Sequence, residues 1–517
     1  MLPPVPEGAL TELGRTEGGP ETLGLLLRDQ YTRRLLLLRA VLDAAETAGP
    51  RVLPTAALTR LHEDWALLEE AEHLERPEHR DRPDRPDRPD RPDRPDRPDR
   101  PEHLERPDRP DTRPAGHAPV PPTGVRALLL HPFMGPWARD ALRGLDPLAG
   151  AGAGAERDPR DAARALAYLG AVAAVAAVRA GVSCALRLTA RDGVLTLPSL
   201  GALRTGRGGD TEVGLVHRRG RLTFRVPGEA DVVVRVQNGV GAWSDAAAWT
   251  PAYALPGLLP DSAPVPLDDL DPYRTARGGP RPHTLSGPVT LDDADRKHWL
   301  HAWSGTAAAL GLGGETRLAE STALLRCLVP LSTPPGSVPG RAGGSCSGTR
   351  REAFGAVLSS GPANATAFAA TLVHEIQHTK LAALSDMLTL HHAGSEARHF
   401  APWRPDPRPY DGLLQGAYSH LALADFFQRA ALAAAHPADR DTAWARHARY
   451  QEQVGAVLPA LVGSGDLTAP GRRFVDRMVE TYERLAEQPA PRGQTARATA
   501  YVRAARTLWT QRHTRGR

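Results

Sequence analysis

Lysine is almost missing from this chain: it occurs only at Lys297 and Lys380, so nearly all of the 64 basic side chains are arginine. Cysteine is sparse as well. Cys184, Cys327 and Cys346 are odd in number and widely spaced. That excludes a disulfide framework and a paired-cysteine zinc ribbon, and it fits a reducing cytoplasm. Aromatics are 5% of the 517 residues, so the core has to be built mainly from Leu, Val and Ala. No charge of one sign dominates: the net charge of +4 gives no case for a nucleic-acid partner. The opening Met1-Leu-Pro-Pro-Val-Pro-Glu-Gly8 has no basic n-region followed by an apolar run, so no signal peptide is expected. The most apolar stretch, Ala165 to Val178, lies between Arg164 and Arg179 and is shorter than the roughly 20 residues of a membrane span. It is predicted to be a buried helix of a soluble chain with no membrane partner.

What is present reads as two or three packed units. Helical periodicity covers Glu21 to Ala48 and Thr55 to His73, so residues 1–75 form an N-terminal helical part. Residues 76–114 are nearly all Arg, Pro and Asp, with six consecutive Arg-Pro-Asp triplets from Arg82 to Asp99. Proline at every third position forbids helix, and no apolar side chains are available to bury. An extended, disordered insertion is therefore expected, with a docking segment for an SH3-like or acidic partner as the functional alternative. Residues 115–290 combine helices over Val125 to Leu145 and Arg160 to Ala180 with five alternating segments between Ala185 and Val236. Asp192-Gly193 and Arg219-Gly220 suit tight hairpin turns. The acidic run Leu267 to Arg274 lacks an EF-hand's ligand spacing and is expected to be a polar connecting loop rather than a calcium site. From Leu291 helices dominate again, so residues 291–517 form a helical region. The predicted fold class is α+β, mainly helical with one small antiparallel sheet inserted mid-chain.

Chemistry concentrates at His374-Glu375-Ile376-Gln377-His378, an H-E-x-x-H inside an apolar helical context. Residues four apart on a helix sit one turn above each other, so both imidazoles can face one metal ion. The bland reading is a surface helix carrying two histidines. A third ligand is needed. His420 is the first choice, because a histidine amid Leu421, Leu423 and Ala424 is otherwise hard to satisfy. Asp425 and Glu396 are carboxylate competitors. Asp386 lies roughly 80° round the helix from His378 and suits outer support of the site better than ligation. The plain alternative for His420 is a core histidine bonded to a backbone carbonyl.

The proline-stiffened connector Phe400 to Tyr410 presents Arg404 and Arg408, whose guanidinium forks could clamp a carboxylate near the metal. Exposed loop arginines are the alternative, and Lys380 is a lesser candidate for the same work. His298, His301, His391 and His392 lack a partner motif. Cys346, in Gly344-Ser-Cys-Ser-Gly-Thr349, has small neighbours but no assigned base, so it reads poorly as a nucleophile.

Three stretches together are more specific than the motif alone: Leu372-Val-His-Glu-Ile-Gln-His-Thr-Lys-Leu381, Ala401-Pro-Trp-Arg-Pro-Asp-Pro-Arg-Pro409 and Leu413-Leu-Gln-Gly-Ala-Tyr418. With Arg351-Glu-Ala-Phe-Gly-Ala-Val357 and Leu25 to Arg34, the chain resembles the HExxH-motif peptide-modification proteins of actinobacteria, the αKG-HExxH-type peptide β-hydroxylases. The resemblance covers most of the chain, with the Arg-Pro-Asp repeat as an insertion. It implies Fe(II) as the metal and 2-oxoglutarate as co-substrate, with Arg404 or Arg408 gripping the far carboxylate. It also implies hydroxylation at the β-carbon of a residue in a ribosomally made precursor peptide, with other peptide-maturation enzymes as further partners. A set of His374, His378 and His420 departs from the usual two-His-one-carboxylate iron triad, which keeps Asp425 and Glu375 in play as ligands. The rival class is a zinc metallopeptidase with Glu375 as general base. A third reading is a peptide-binding module with a structural metal.

Overall fold

The structure is a computed structural model describing residues 4–75, 124–146, 159–237, 241–275, 286–334 and 346–514. The Arg-Pro-Asp repeat lies outside the described residues.

The chain begins with helices α1 (Glu7–Gly14), α2 (Pro20–Thr47), α3 (Thr55–Glu75), α4 (Gly124–Leu129), α5 (Met134–Leu145) and α6 (Pro159–Ala180). The single helix expected over Val125 to Leu145 is two helices. Pro132 has no N–H to continue the ladder and restrains His131 before it, so the chain turns between α4 and α5. Helix α6 is the one candidate membrane span by length and apolarity among the described residues, and 78% of its apolar window is buried inside the fold. It packs on α3, where Gly170 lets the two helices approach: a Cβ there would stand 2.9 Å from Asp64 Oδ2.

That contact has a pH signature. Burial, partly offset by Arg60, raises the Asp64 carboxyl from its ordinary value near 3.8 to about 7. Below about pH 4 both folded and unfolded chains are protonated here and the group contributes nothing. Between pH 4 and 7 only the unfolded chain ionises, so stability falls as pH rises, by up to about 4 kcal/mol once pH exceeds about 7. Asp64→Asn is expected to raise the melting midpoint at pH 8 and leave it nearly unchanged at pH 4. Equal shifts at both values would refute the assignment.

One sheet was expected; the described residues form three. The first has the order β1 (Cys184–Ala190), β4 (Thr211–Arg218), β5 (Arg221–Arg225), β6 (Val232–Gln237), β7 (Gly241–Trp243) and is antiparallel. Arg219 and Gly220, both at positive φ, make the two-residue turn joining β4 to β5. Asp192 and Gly193, also at positive φ, make a second two-residue turn, across which Arg191 and Val194 exchange both backbone bonds at 2.9 Å, and it leads from β1 into the second sheet: β2 (Val194–Leu197), β3 (Gly201–Arg204) and β8 (Trp249–Pro251). The third sheet orders β12 (Ser347–Thr349), β13 (Ala356–Ser360), β11 (Cys327–Leu331), β10 (Val265–Leu267) and β9 (Tyr253–Leu255). It is mixed: β11 runs parallel to both β10 and β13. Strands β11 and β13 are buried at every position, so they lack the alternation that marks a half-exposed strand in sequence. The run after Leu267 is also not a solvated loop. Asp269 and Asp271 are buried, and Tyr168 donates its hydroxyl to Asp271 at 2.6 Å.

The remaining helices are α7 (Asp293–Ser304), α8 (Thr306–Leu312), α9 (Glu315–Leu324), α10 (Ala365–Met387), α11 (Tyr410–Ala433), α12 (Pro437–Gly455), α13 (Leu458–Val462), α14 (Ala469–Ala486) and α15 (Arg492–Thr514). Helix α10 spans two hydrophobic clusters. Phe368, Ala369, Leu372 and Val373 pack with Trp299, Trp303 and Phe426, whereas Ile376, Leu381 and Leu384 pack with Leu23, Leu26 and Leu413. The mainly helical α+β class is as expected.

Candidate metal centre

The side chain of Asn364 caps α10 by accepting from the Ala367 N–H at 2.9 Å, and apolar residues on either side of the motif hold the helix in the core. One turn apart, His374 and His378 bring their Nε2 atoms to 3.1 Å. His420, on α11, adds a third ring whose centroid is 5.6 Å from that of His374. The structure thus brings the three sequence-selected histidines together from two packed helices.

Their surroundings set their chemistry. His378 Nδ1 stands 3.1 Å from the side-chain amide oxygen Oε1 of Gln415, and donating a proton there leaves its Nε2 lone pair facing His374. Burial, reinforced by His378 and His420, holds the His374 imidazole well below its ordinary range. Burial, then the charges of His378 and Arg449, push His420 down to about 3. Its Nδ1 is buried without a hydrogen-bond partner. At neutral pH His374 and His420 are therefore neutral donors. A tetrahedral centre with metal–nitrogen bonds of about 2.0–2.1 Å separates its nitrogens by about 3.3 Å, close to the spacing of the motif pair. The motif pair has the spacing that two ligands of one ion take, whereas the ligand atoms of His374, His378 and His420 do not all lie within 4.8 Å of one another, so the His420 ring would have to move toward the pair to ligate. His374 keeps 25% of its side chain exposed, so the site opens on its side.

Glu375 is buried, and burial raises its carboxyl above the ordinary range although Ser347 donates its hydroxyl to Oε1 at 2.6 Å. Its Oε2 has no partner, and Oε1 lies 4.0 Å from His374 Nε2. Ser347 comes from edge strand β12, so the third sheet reaches the motif through this bond. Trp403 closes another side. It packs edge-on to His420 with centroids 4.5 Å apart and crosses α11 over Gly416, where a Cβ would meet the indole at 2.5 Å. Tyr450, on α12, stands 5.1 Å from the His420 ring.

Several sequence-selected residues lie elsewhere. Asp386 is about 12 Å along the helix axis from His378 at 1.5 Å per residue. There it accepts from Gln30 at 2.9 Å and from Arg351, joining α2 to the segment after β12 rather than supporting a ligand. Asp425 is not available as a ligand. Arg317, Arg429 and Arg484 bind its carboxylate at 3.1–3.3 Å, and those cations hold it below the ordinary range despite burial. Glu396 is exposed and faces Arg398. Lys380 is wholly buried and bonded to Glu320 at 2.6 Å, on the far side of α10 from the imidazoles. Arg404 and Arg408 share Asp406, at 3.1 and 3.8 Å, and among the described residues no contact joins either guanidinium to the three histidines. Arg408 Nε is buried without a partner. Arg449 is different: its charge bears on His420, its guanidinium lies 4.5 Å over the Tyr501 ring, and it makes no ion pair among the described residues.

Ser347, Gln415, Trp403, Gly416, Tyr450 and Arg449 are the residues that sequence reasoning did not select. Trp403, Gln415 and Gly416 stand inside the stretches that carry the family resemblance. Ser347 is next to Cys346, in a small-residue run whose thiol is the more reactive group by residue type. A cavity of about 500 Å³ lies between α6 and the small sheets, and none of the three imidazoles lines it. No protein-family model matches the sequence, and no curated protein matches it.

Proposed function

We propose that this protein is a mononuclear metal enzyme, an Fe(II)- and 2-oxoglutarate-dependent hydroxylase of the β-carbon of a residue in a ribosomally made precursor peptide. The observation that carries the metal centre is the 3.1 Å approach of the His374 and His378 Nε2 atoms, with the His420 ring beside them and its Nδ1 unpartnered. The choice among metal enzymes rests on the family resemblance of the segments around it. Iron with 2-oxoglutarate supplies the oxidation of an unactivated C–H bond. The chain's own residues would do the rest. His374 and His378, with His420, would hold the ion, Gln415 fixes the ring of His378, and Trp403 and Tyr450 exclude water from the side of His420. Arg404, Arg408 and Arg449 are the cations available for the far carboxylate of the co-substrate. The partners in this reading are the precursor peptide and other maturation enzymes, and the setting is the cytoplasm, in keeping with three free cysteines.

One observation favours a second reading. Glu375, buried, raised above its ordinary range and with Oε2 unpartnered, has the character of a general base. In a zinc metallopeptidase it would take the proton from a water attacking a peptide carbonyl.

Anaerobic reconstitution with Fe(II), followed by oxygen, 2-oxoglutarate and the precursor peptide encoded beside the gene, separates the readings. The expected result is succinate formed together with a peptide heavier by one oxygen atom, both abolished by His374→Ala. Peptide fragments supported by zinc and independent of 2-oxoglutarate would replace the hydroxylase with a peptidase. Loss of folding in His374→Ala, with no turnover of either kind by the parent protein, would mean a structural metal.

A further inference from the structure

His131, Asp268 and Cys327 bring one nitrogen, one oxygen and one sulfur within 4.8 Å of one another, away from the HExxH centre. The three come from separate parts of the chain. His131 sits in the turn that Pro132 forces between α4 and α5. Asp268 directly follows β10, and its N–H donates to the Leu328 carbonyl at 2.7 Å. Cys327 opens β11, so the parallel pairing of Leu267 with Leu328 sets the carboxylate and the thiol side by side.

The polar bonding of the cluster is incomplete. Asp268 Oδ2 is buried and accepts no hydrogen bond, although His131 Nε2 is only 3.2 Å away. His131 Nδ1 accepts from the Phe133 N–H at 3.5 Å, so Nε2 is the nitrogen turned to Asp268, and a metal ion would take the place of its proton there. Donors on one zinc-sized ion, with bonds of about 2.0–2.3 Å, stand about 3.3–3.8 Å apart. Closing this cluster onto an ion therefore needs shifts of about 1 Å or less. Cys327 is fully buried, whereas His131 and Asp268 keep 23% and 15% of their side chains exposed, which leaves a fourth position open toward solvent.

We propose that His131, Asp268 and Cys327 form a second metal site, for a borderline divalent ion of the zinc class, which pins the α4–α5 turn to the ends of β10 and β11. A thiolate, an imidazole and a carboxylate suit zinc or cobalt and not calcium or magnesium, which take oxygen ligands. The site is independent of the function proposed above, because it shares no residue with the HExxH centre.

The thiolate gives it a signature that a three-histidine centre cannot produce. Untagged full-length protein is stripped of metal and titrated with Co(II), as is the double variant His374→Ala, His378→Ala. The expected result is a sulfur-to-cobalt charge-transfer band in the near ultraviolet, with two equivalents bound by the parent chain and one by the double variant. Cys327→Ser is expected to abolish the band. Because that thiol is buried and its replacement could unfold the chain, His131→Gln serves as the second variant; it is expected to fold and to weaken Co(II) binding at this site by more than about tenfold. A folded parent protein with no thiolate band, a band that survives Cys327→Ser, or full affinity in His131→Gln would each overturn the proposal.

Discussion

Replacing His420 with alanine is expected to lower metal affinity at the HExxH centre by more than a hundredfold while changing the metal-free stability at pH 7 by no more than about 1–2 kcal/mol. The first half follows from arithmetic on ligands: loss of a group that merely orients a ligand costs about 10–100-fold in affinity, so loss of a ligand costs more. The second half follows from two opposed terms. Deleting a buried ring leaves a cavity, which costs a few kcal/mol. It also removes a buried Nδ1 that has no partner, a relief of about 1–3 kcal/mol. Acid should tip the balance further. The folded-state value of about 3 lies below the ordinary 6.5, so between those values the unfolded chain takes up a proton that the folded one refuses. The parent protein loses stability as pH falls through that window and His420→Ala does not, so the variant should gain on it from pH 6 to pH 4. Metal content after dialysis and thermal melts of the metal-free proteins test both halves. Full metal occupancy in His420→Ala would return His420 to the role of a core histidine.

The two histidines of the motif were legible because four-residue spacing on a helix fixes their relation without any knowledge of the rest of the chain. The place of His420 beside that pair was legible for a different reason: an imidazole on an apolar helix needs a partner, and no local one was in sight. What could not be read were contacts set by tertiary approach. Ser347 reaches Glu375 only because β12 pairs with β13 at the edge of a sheet whose inner strands are uniformly apolar and so carry no period of two. Asp425 looked like a ligand by its nearness to His420 in sequence. Five residues along a helix turn a side chain roughly 140° away, and three arginines from elsewhere in the fold meet it there. Asp192-Gly193 and Arg219-Gly220 both make the two-residue turns that their residues suggest, but the first passes the chain from one sheet to another. Turn residues fix the local backbone but not which strands then pair.

The largest stability effect is expected from Glu320→Gln, behind the motif helix. Glu320 on α9 receives Lys380 at 2.6 Å and Arg317 at 3.2 Å, with the Gln377 amide at 3.4 Å, and all four side chains are buried. Lys380 and Arg317 also donate to the carbonyl of Thr16, a residue held at φ 62°, and Arg317 continues to Asp425. Burial lowers Lys380 to about 8 even with Glu320 opposing the shift, so the ammonium depends on that carboxylate. Gln in its place leaves two buried cations facing a neutral amide, at a cost of about 3–5 kcal/mol and a fall in melting midpoint on the order of 10 °C. Adding Lys380→Met to Glu320→Gln removes the unpaired ammonium and should recover part of the loss. That recovery distinguishes an electrostatic defect from a packing one, which the second substitution would deepen. Gln377 and Lys380 lie within the same two turns of α10 as His374 and His378, so this network fixes the rotation of the helix about its axis. Glu320→Gln is therefore expected to weaken metal binding as well, though it touches no ligand. If the variant melts with the parent protein and holds metal equally well, the packed faces of α10 alone orient the site.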